Sequence, residues 1–419
     1  MKRHTFSLVR LNALLCLLLT GSMALLSSCD NEEVGAPPVI ERVRFTDPAS
    51  ADTSLTQTTL GSVLVIVGQH LSSTQYVLMN DYRVSINSAY ATDQHLIVNV
   101  PDSVPTVAQN PNVPNTITVV NAFGQASYDF QILPPAPIIE QVSSQYVKEG
   151  QTITIFGRYF YFIESIIFPG GVEATDYTAA SNGGTIRVTV PAGVDPTDGD
   201  LVVNTQSGSS AATLATRLYD GEGIVSNFDD KVNFGWGIAP TNITNSTPNG
   251  VIQPLDENFA MINTTLPENW GWSNDKVINL VDWGGAQIYP TEPAEEYSPD
   301  LPLADFVIKM EVAVSADAAL FSGIQLQVWT DNATEEVSVN IELGDFIRTT
   351  DGTWYTVTIP LQDLRGRTSG NPLANYGALI AGNAGGQHQL RVVIENPTPT
   401  PVPVVMTIDN IRVENTKIR

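Results

Sequence analysis

The stretch Gly61-Ser-Val-Leu-Val-Ile-Val-Gly68-Gln-His-Leu71 decides the fold of the first half of this 419-residue chain, because it occurs twice. It returns as Gly150-Gln-Thr-Ile-Thr-Ile-Phe-Gly157-Arg-Tyr-Phe160, with Gly157 placed 89 residues after Gly68. Apolar residues alternate in both copies, at Val63, Val65 and Val67 and again at Ile153 and Ile155. A period of two marks a β-strand, and the Gly, Pro, Asn and Asp clusters between such runs mark turns. The surroundings repeat as well. Pro38-Val-Ile-Glu-Arg-Val43 recurs as Pro137-Ile-Ile-Glu-Gln-Val142, and Val98-Asn-Val-Pro101 as Val188-Thr-Val-Pro191. A repeat of this length built from short strands is one antiparallel sandwich per unit.

The succession Pro-x-Ile, then two glycines bracketing an apolar strand, then an apolar residue before Val-Pro, resembles the IPT/TIG family of immunoglobulin-like domains. The resemblance covers both repeats, residues 37–133 and 134–219, and implies that they act as spacers in a surface protein. It also implies that Gly68 and Gly157 sit where a strand turns sharply and a Cβ would clash. Leu133-Pro-Pro-Ala-Pro137 joins the repeats as a stiff proline linker, expected to hold them at a nearly fixed angle. Asp195-Pro-Thr-Asp-Gly-Asp200 alternates oxygens as a calcium loop does, but no bidentate glutamate follows, and an Asp-Gly turn accounts for it.

Met1-Lys-Arg-His precedes an apolar run from Leu11 to Leu26, the layout of a secretory signal. The run is short of the ~20 residues a membrane span needs. It ends at Leu26-Ser-Ser-Cys29, which resembles a bacterial lipobox and implies lipidation of Cys29. Asp30-Asn-Glu-Glu33 follows, similar to the acidic signal that sends lipoproteins of glycan-degrading Gram-negative bacteria to the outer face of the outer membrane. It serves equally as a solvated tether. Residues 1–28 are therefore expected to be the lipoprotein signal peptide and 29–36 an acidic tether. Cys16 leaves with the signal, so neither disulfides nor a thiolate metal site can be invoked.

The formal net charge is −24, and the expected signal holds Lys2, Arg3 and Arg10 but no acid, so its removal leaves a more acidic chain. Such an excess repels phosphate backbones, which excludes a nucleic-acid partner.

From Asp220 the character changes. All six Trp residues lie beyond this point, at 236, 270, 272, 283, 329 and 354. Strands are expected at 306–314, 323–329, 337–343, 354–359, 389–395 and 404–413, with a long loop over 241–302. Roughly two hundred residues of this kind make one large jelly-roll sandwich, so the fold class is all-β: two immunoglobulin-like sandwiches in tandem, then a jelly roll over 220–419. The four histidines show no metal-ligand spacing, and neither a nucleophile elbow nor a phosphate loop occurs; no enzyme is expected.

The last region opens with Asn227-Phe-Asp-Asp230, contains Gly352-Thr-Trp-Tyr-Thr-Val-Thr-Ile-Pro360 and closes with Ile408-Asp-Asn-Ile-Arg-Val413. These features resemble carbohydrate-binding jelly rolls, in which the opening acid and closing strand pair edge to edge with a structural calcium nearby. The resemblance makes Asp229, Asp230 and Asp409 candidate calcium ligands; turn and strand capping is the other role open to them. No other cofactor is implied.

Sugar rings present C–H groups on one face and hydroxyls at the rim, so a site needs an aromatic platform beside planar amides or carboxylates. Trp270-Gly-Trp272 with Asn269 and Asn274, and Trp283 with Asp282, supply that mixture in a loop, where folding down as a lid is the alternative. Alternation along Ile324-Gln-Leu-Gln-Val-Trp329 puts Gln325, Gln327 and Trp329 on one face. Along Val337-Ser-Val-Asn-Ile-Glu-Leu343 it puts Asn340 and Glu342 opposite Val339 and Ile341, so the two polar faces are expected to line one groove. Trp354 is expected to pack inward.

Lipobox, acidic run, two IPT/TIG-like spacers and a Trp-rich sandwich together resemble the surface glycan-binding lipoproteins of polysaccharide utilisation systems. That resemblance implies a non-catalytic, lipid-anchored outer-membrane protein at the cell surface. Its partners would be a polysaccharide or oligosaccharide, with β-glucans or xyloglucan first, and an outer-membrane importer complex. A surface adhesin or structural protein holding a protein partner through the last domain is the alternative. The Trp-free repeats further imply that a chain starting near Asp220 keeps full glycan affinity.

Overall fold

The computed structural model describes residues 35–231, 242–248, 250–282 and 287–417. Cys29, Trp236 and Trp283 lie outside the described residues, and with them the lipidation site and one expected sugar platform. The fold is all-β, and its strand pairs are antiparallel apart from Gln57–Thr59 with Gln131–Leu133. The described residues form two compact units, one ending at Leu133 and the other beginning at Pro134.

In the first unit a sheet of Val39–Phe45, Val63–Gln69 and His95–Asn99 accompanies one of Tyr82–Val84, Tyr76–Met79, Thr116–Asn121 and Gly124–Asp129. The core takes Leu64 and Ile66, together with Val77, Val98, Ile117 and Val119. Val63, Val65 and Val67 point the other way, so in this apolar run alternation shows the strand without showing which face is inner. The second repeat builds a similar pair of sheets, with Tyr177–Ala179 as a fourth strand in the first, and here Ile153 and Ile155 do enter the core, with Ile166, Ile186 and Val203.

The repeated glycines have a different origin from a sharp turn. Both lie inside a strand, opposite a bulge: pairing slips between Ile40 and Arg42 next to Gly68, and between Ile139 and Gln141 next to Gly157. The bulge presses the first strand onto the glycine. A Cβ on Gly68 would sit 1.8 Å from the carbonyl oxygen of Val39, and one on Gly157 2.0 Å from that of Ile138. Close backbone approach excludes every side chain there.

The C-terminal sandwich packs two sheets face to face. One contains Ile243–Thr244, Phe259–Leu266, Val402–Asn415, Phe306–Ala316 and Asp351–Pro360 in that order, with Ile224–Ser226 also paired to Val402–Asn415. The other has the order Val277–Asp282, His388–Glu395, Gln325–Asp331, Glu336–Glu342 and Arg365–Gly366. Between them lie Ile262, Leu280, Ile308, Met310, Leu326, Val328, Val357, Val392 and Ile408. Besides the short Ile243–Thr244, two of these strands, Phe259–Leu266 and Val277–Asp282, fall inside the stretch expected to be one long loop. Each pairs with a strand more than a hundred residues away, and that partner rather than local pattern makes it a strand.

The outer face of the first sheet is covered. Trp354 is 7% exposed and packs there with Ile252, Phe259 and Ala313, its indole N–H donating to the carbonyl of Gln253 at 2.7 Å. It is thus buried as expected, but under the segment before Phe259 rather than between the sheets. Beside it the second immunoglobulin-like domain docks. The N–H of Thr356 donates to the carbonyl of Ser143 at 2.7 Å, the N–H of Gln145 donates to Thr356 Oγ1 at 2.7 Å, and Phe156 packs against the sandwich core.

Candidate functional site

On the outer face of the second sheet residues 277–281 and 388–395 are buried, so a ligand meets side chains along Gln325–Asp331 and Glu336–Glu342. Alternation sends Leu326 and Val328 into the core, leaving Gln325, Gln327 and Trp329 on this face. Register then places Gln325 between Glu395 and Glu342, Gln327 between Val393 and Asn340, and Trp329 between Arg391 and Ser338. The amides are already engaged: Gln325 Nε2 donates to Glu342 Oε1 at 2.5 Å and Gln327 Nε2 to Asn340 Oδ1 at 2.7 Å. Asn340 and Glu342 are exposed, and Gln325 and Gln327 half-buried. This gives a pre-ordered polar ladder whose outer lone pairs and N–H groups face solvent.

Trp329 differs from an open platform. Its ring is half-buried, with the guanidinium of Arg367 3.6 Å from its centroid and that of Arg391 at 4.7 Å. Glu336 binds both arginines, at 2.9 Å to Arg391 and 3.8 Å to Arg367. The indole N–H is buried, with no acceptor among the described residues.

Trp270 and Trp272 are 50% and 53% exposed, the most open of the described tryptophans. They sit on a turn between Phe259–Leu266 and Val277–Asp282, at the end of the sheet near Gln325. The turn is rigid. Asn269 and Trp270 both have positive φ, 52° and 61°; asparagine takes this region readily, whereas for the bulky Trp270 it is costly and is sustained by surrounding contacts. Those contacts are the N–H of Asn269 to the carbonyl of Thr398 and the N–H of Trp270 to that of Asn396, each 2.9 Å. Trp272 Nε1 donates to Asn274 Oδ1 at 3.1 Å. Gly271 leaves no room for a side chain, since a Cβ would meet Pro267 Cβ at 2.8 Å.

Sequence reasoning missed Lys276, Glu395, Arg367 and Arg391. Only Lys276 carried a signal, a lone cation at the head of the apolar run Val277-Ile-Asn-Leu-Val281.

Asp229, Asp230 and Asp409 are the three candidate calcium ligands. Among the described residues no group of three or more His, Cys, Asp or Glu side chains gathers as a metal site. Asp229 Oδ1 accepts from both the backbone and side-chain nitrogens of Asn258 at 2.9 Å, and Asp230 accepts from Asn227. Asp409 is fully buried in the closing strand. Burial, reinforced by the negative charge of Asp256, raises its pKa to about 9.

Residues 218–415 match the family model described as the surface glycan-binding protein B xyloglucan binding domain. An IPT/TIG domain-containing protein of Bacteroides ovatus is 38% identical over 152 residues, 36% of this chain and 31% of that protein, so the match spans about a third of the relative's length. The crystal structure of the surface glycan-binding protein PbSGBP-B from Prevotella bryantii aligns with 91% of this chain and all of its own, with a TM-score of 0.56 at 20% identity, a likeness of fold. Residues 218–415, which hold the C-terminal sandwich, are thus similar to the xyloglucan binding domain of surface glycan-binding protein B and follow two immunoglobulin-like domains in the chain.

Proposed function

We propose that this protein is a non-catalytic, cell-surface glycan-binding lipoprotein that captures a β-glucan, xyloglucan first, for an outer-membrane importer complex. The observation that carries the proposal is the rigid turn exposing Trp270 and Trp272 beside the polar ladder of Gln325, Gln327, Asn340 and Glu342. An aromatic face next to ordered planar amides and carboxylates is the pairing an equatorial sugar ring requires. The ladder runs four residues along the strand from Gln325 to Trp329, about 13 Å at strand rise, so the platform accommodates an extended chain rather than a single ring. The family of the C-terminal domain supports xyloglucan as the first ligand to try. Capture without cleavage fits the matched family, which is described as a binding domain.

Affinity electrophoresis through gels cast with xyloglucan, mixed-linkage glucan, galactomannan and starch tests the binding. Retardation by xyloglucan is expected, with no new reducing ends after prolonged incubation. Passage through every gel unretarded would leave the adhesin reading in its place. The anchor has its own test: Cys29→Ala is expected to clear the protein from the membrane fraction, and wild-type display on whole cells would refute lipidation.

A further inference from the structure

Lys276 sits at the foot of the tryptophan turn with 1% of its side chain exposed, so its ammonium has left water and must be paired. Among the described residues its polar contacts go to the turn and to the sheet. Nζ donates to the carbonyl of Gly271 at 2.8 Å, between the two tryptophans, and to Glu395 Oε2 at 2.5 Å. It also lies 5.3 Å from the centroid of the Trp272 ring. Glu395 in turn neighbours Gln325, the first rung of the polar ladder, and is 10% exposed. One buried cation therefore ties the turn bearing Trp270 and Trp272 to the strand row Glu395, Gln325 and Glu342.

We infer that Lys276, through its ion pair with Glu395, is the positioning residue that sets Trp272 against the ladder and makes the two halves of the surface one glycan site. The inference rests on the glycan-binding reading above. Lys276 touches no glycan itself; it acts by fixing a ring that does. A chain that had to order this turn on binding would lose affinity to that ordering, and a pre-set turn avoids the loss.

The test uses the full-length protein with its tryptophans labelled as 5-fluorotryptophan, in wild type, Lys276→Met, Trp272→Ala and the double variant. Methionine keeps the length and apolar stem of lysine without its charge or donors. The fluorine resonance missing from Trp272→Ala identifies Trp272. In Lys276→Met that resonance is expected to shift or broaden while the signal of Trp354 stays in place. Affinity for xyloglucan heptasaccharide is expected to fall about tenfold or more in each single variant. The double variant is expected to bind no worse than the weaker single, because residues acting through one another are not additive. An unmoved Trp272 resonance in Lys276→Met overturns the inference, whether or not any glycan binds. Additive losses overturn it too. A shifted resonance in a protein that binds no glycan upholds the positioning role and refutes the glycan reading instead.

Discussion

Arg412 grips Glu311 through two nitrogens, Nη1 to Oε2 at 2.6 Å and Nη2 to Oε1 at 3.2 Å, and neither side chain reaches water. The same guanidinium bonds Glu414 at 2.8 Å through Nε, and Lys309 bonds Glu414 at 2.7 Å. Burial pushes the Glu414 carboxyl up, but Lys309 and Arg412 outweigh it and hold it at about 2. This network lies beneath the second immunoglobulin-like domain. The ring of Tyr219 is 4.5 Å from the Arg412 guanidinium, and Thr356 links Gln145 to Glu311, donating to Oε1 at 3.0 Å. Buried ions are sustained only while every partner stays in place.

Residues 134–419 should therefore melt in one cooperative transition. A fragment starting at Asp220 loses the Ser143 and Gln145 bonds, Phe156 and the cover over Arg412. It is expected to melt lower, by roughly 2–4 °C for each kcal/mol lost, and to bind glycan less well, contrary to the expectation that it retains full affinity. Calorimetry of both fragments decides this; equal melting temperatures would show that the two domains fold independently.

Asp409 makes a prediction about pH. Its folded pKa of about 9 lies above the ordinary carboxylate value, so between pH 4 and 9 the unfolded chain releases a proton that the folded protein keeps. Stability associated with this group is complete below pH 4 and drains away as pH rises through 9. Asp409→Asn removes the titration while keeping the shape. It is expected to raise the melting temperature at pH 8, leave it nearly unchanged at pH 4 and flatten the slope between them, with EDTA without effect on either protein. A calcium ion on Asp409 would produce the opposite, a destabilised variant and a wild type weakened by EDTA.

Trp354 belongs to the structure and not to the site. Removing its ring empties a pocket walled by Ile252, Phe259 and Ala313 and strands the Gln253 carbonyl. Trp354→Ala is expected to cost about 3–5 kcal/mol with little change in glycan affinity per folded molecule. Chemical denaturation measures the first and calorimetric titration the second. A stable variant that no longer binds would place the glycan on the other sheet.

Much of the fold was legible because its signals are local. The repeated glycines and Val-rich runs mark strands wherever they occur, and alternation alone separates Gln325 and Gln327 from Leu326 and Val328. What was hidden depends on partners far off in sequence. Phe259–Leu266 carries Asn263, Thr264 and Thr265, and becomes a strand by lying against Val402–Asn415. Lys276 and Glu395 are 119 residues apart, so their pairing has no local trace. The role of Gly68 could be read as a clash, but the clashing atom, the carbonyl of Val39, appears only once the bulge is seen.

Trp329 and Arg367 yield the last prediction. Trp329→Ala is expected to weaken glycan binding with a melting temperature close to wild type, since the ring is half-buried on the outer face. Yet Arg367 lies 3.6 Å from the ring centroid, and a sugar stacking on that face must displace it. The obstacle is small. The bond of Arg367 to Glu336 is long, 3.8 Å, between two partly exposed groups and contributes little, and an exposed cation–π contact is worth about 0.5–1 kcal/mol. Removing the guanidinium frees the ring at that cost, so Arg367→Ala should tighten binding of a neutral glycan by about two- to fivefold. Titration of the wild type, Arg367→Ala and Trp329→Ala with xyloglucan oligosaccharide separates the cases. Weaker binding by Arg367→Ala would mean that the guanidinium itself donates to the sugar hydroxyls. If Arg367→Ala and Trp329→Ala both bind as wild type does, the glycan is held by Trp270 and Trp272 without this end of the ladder.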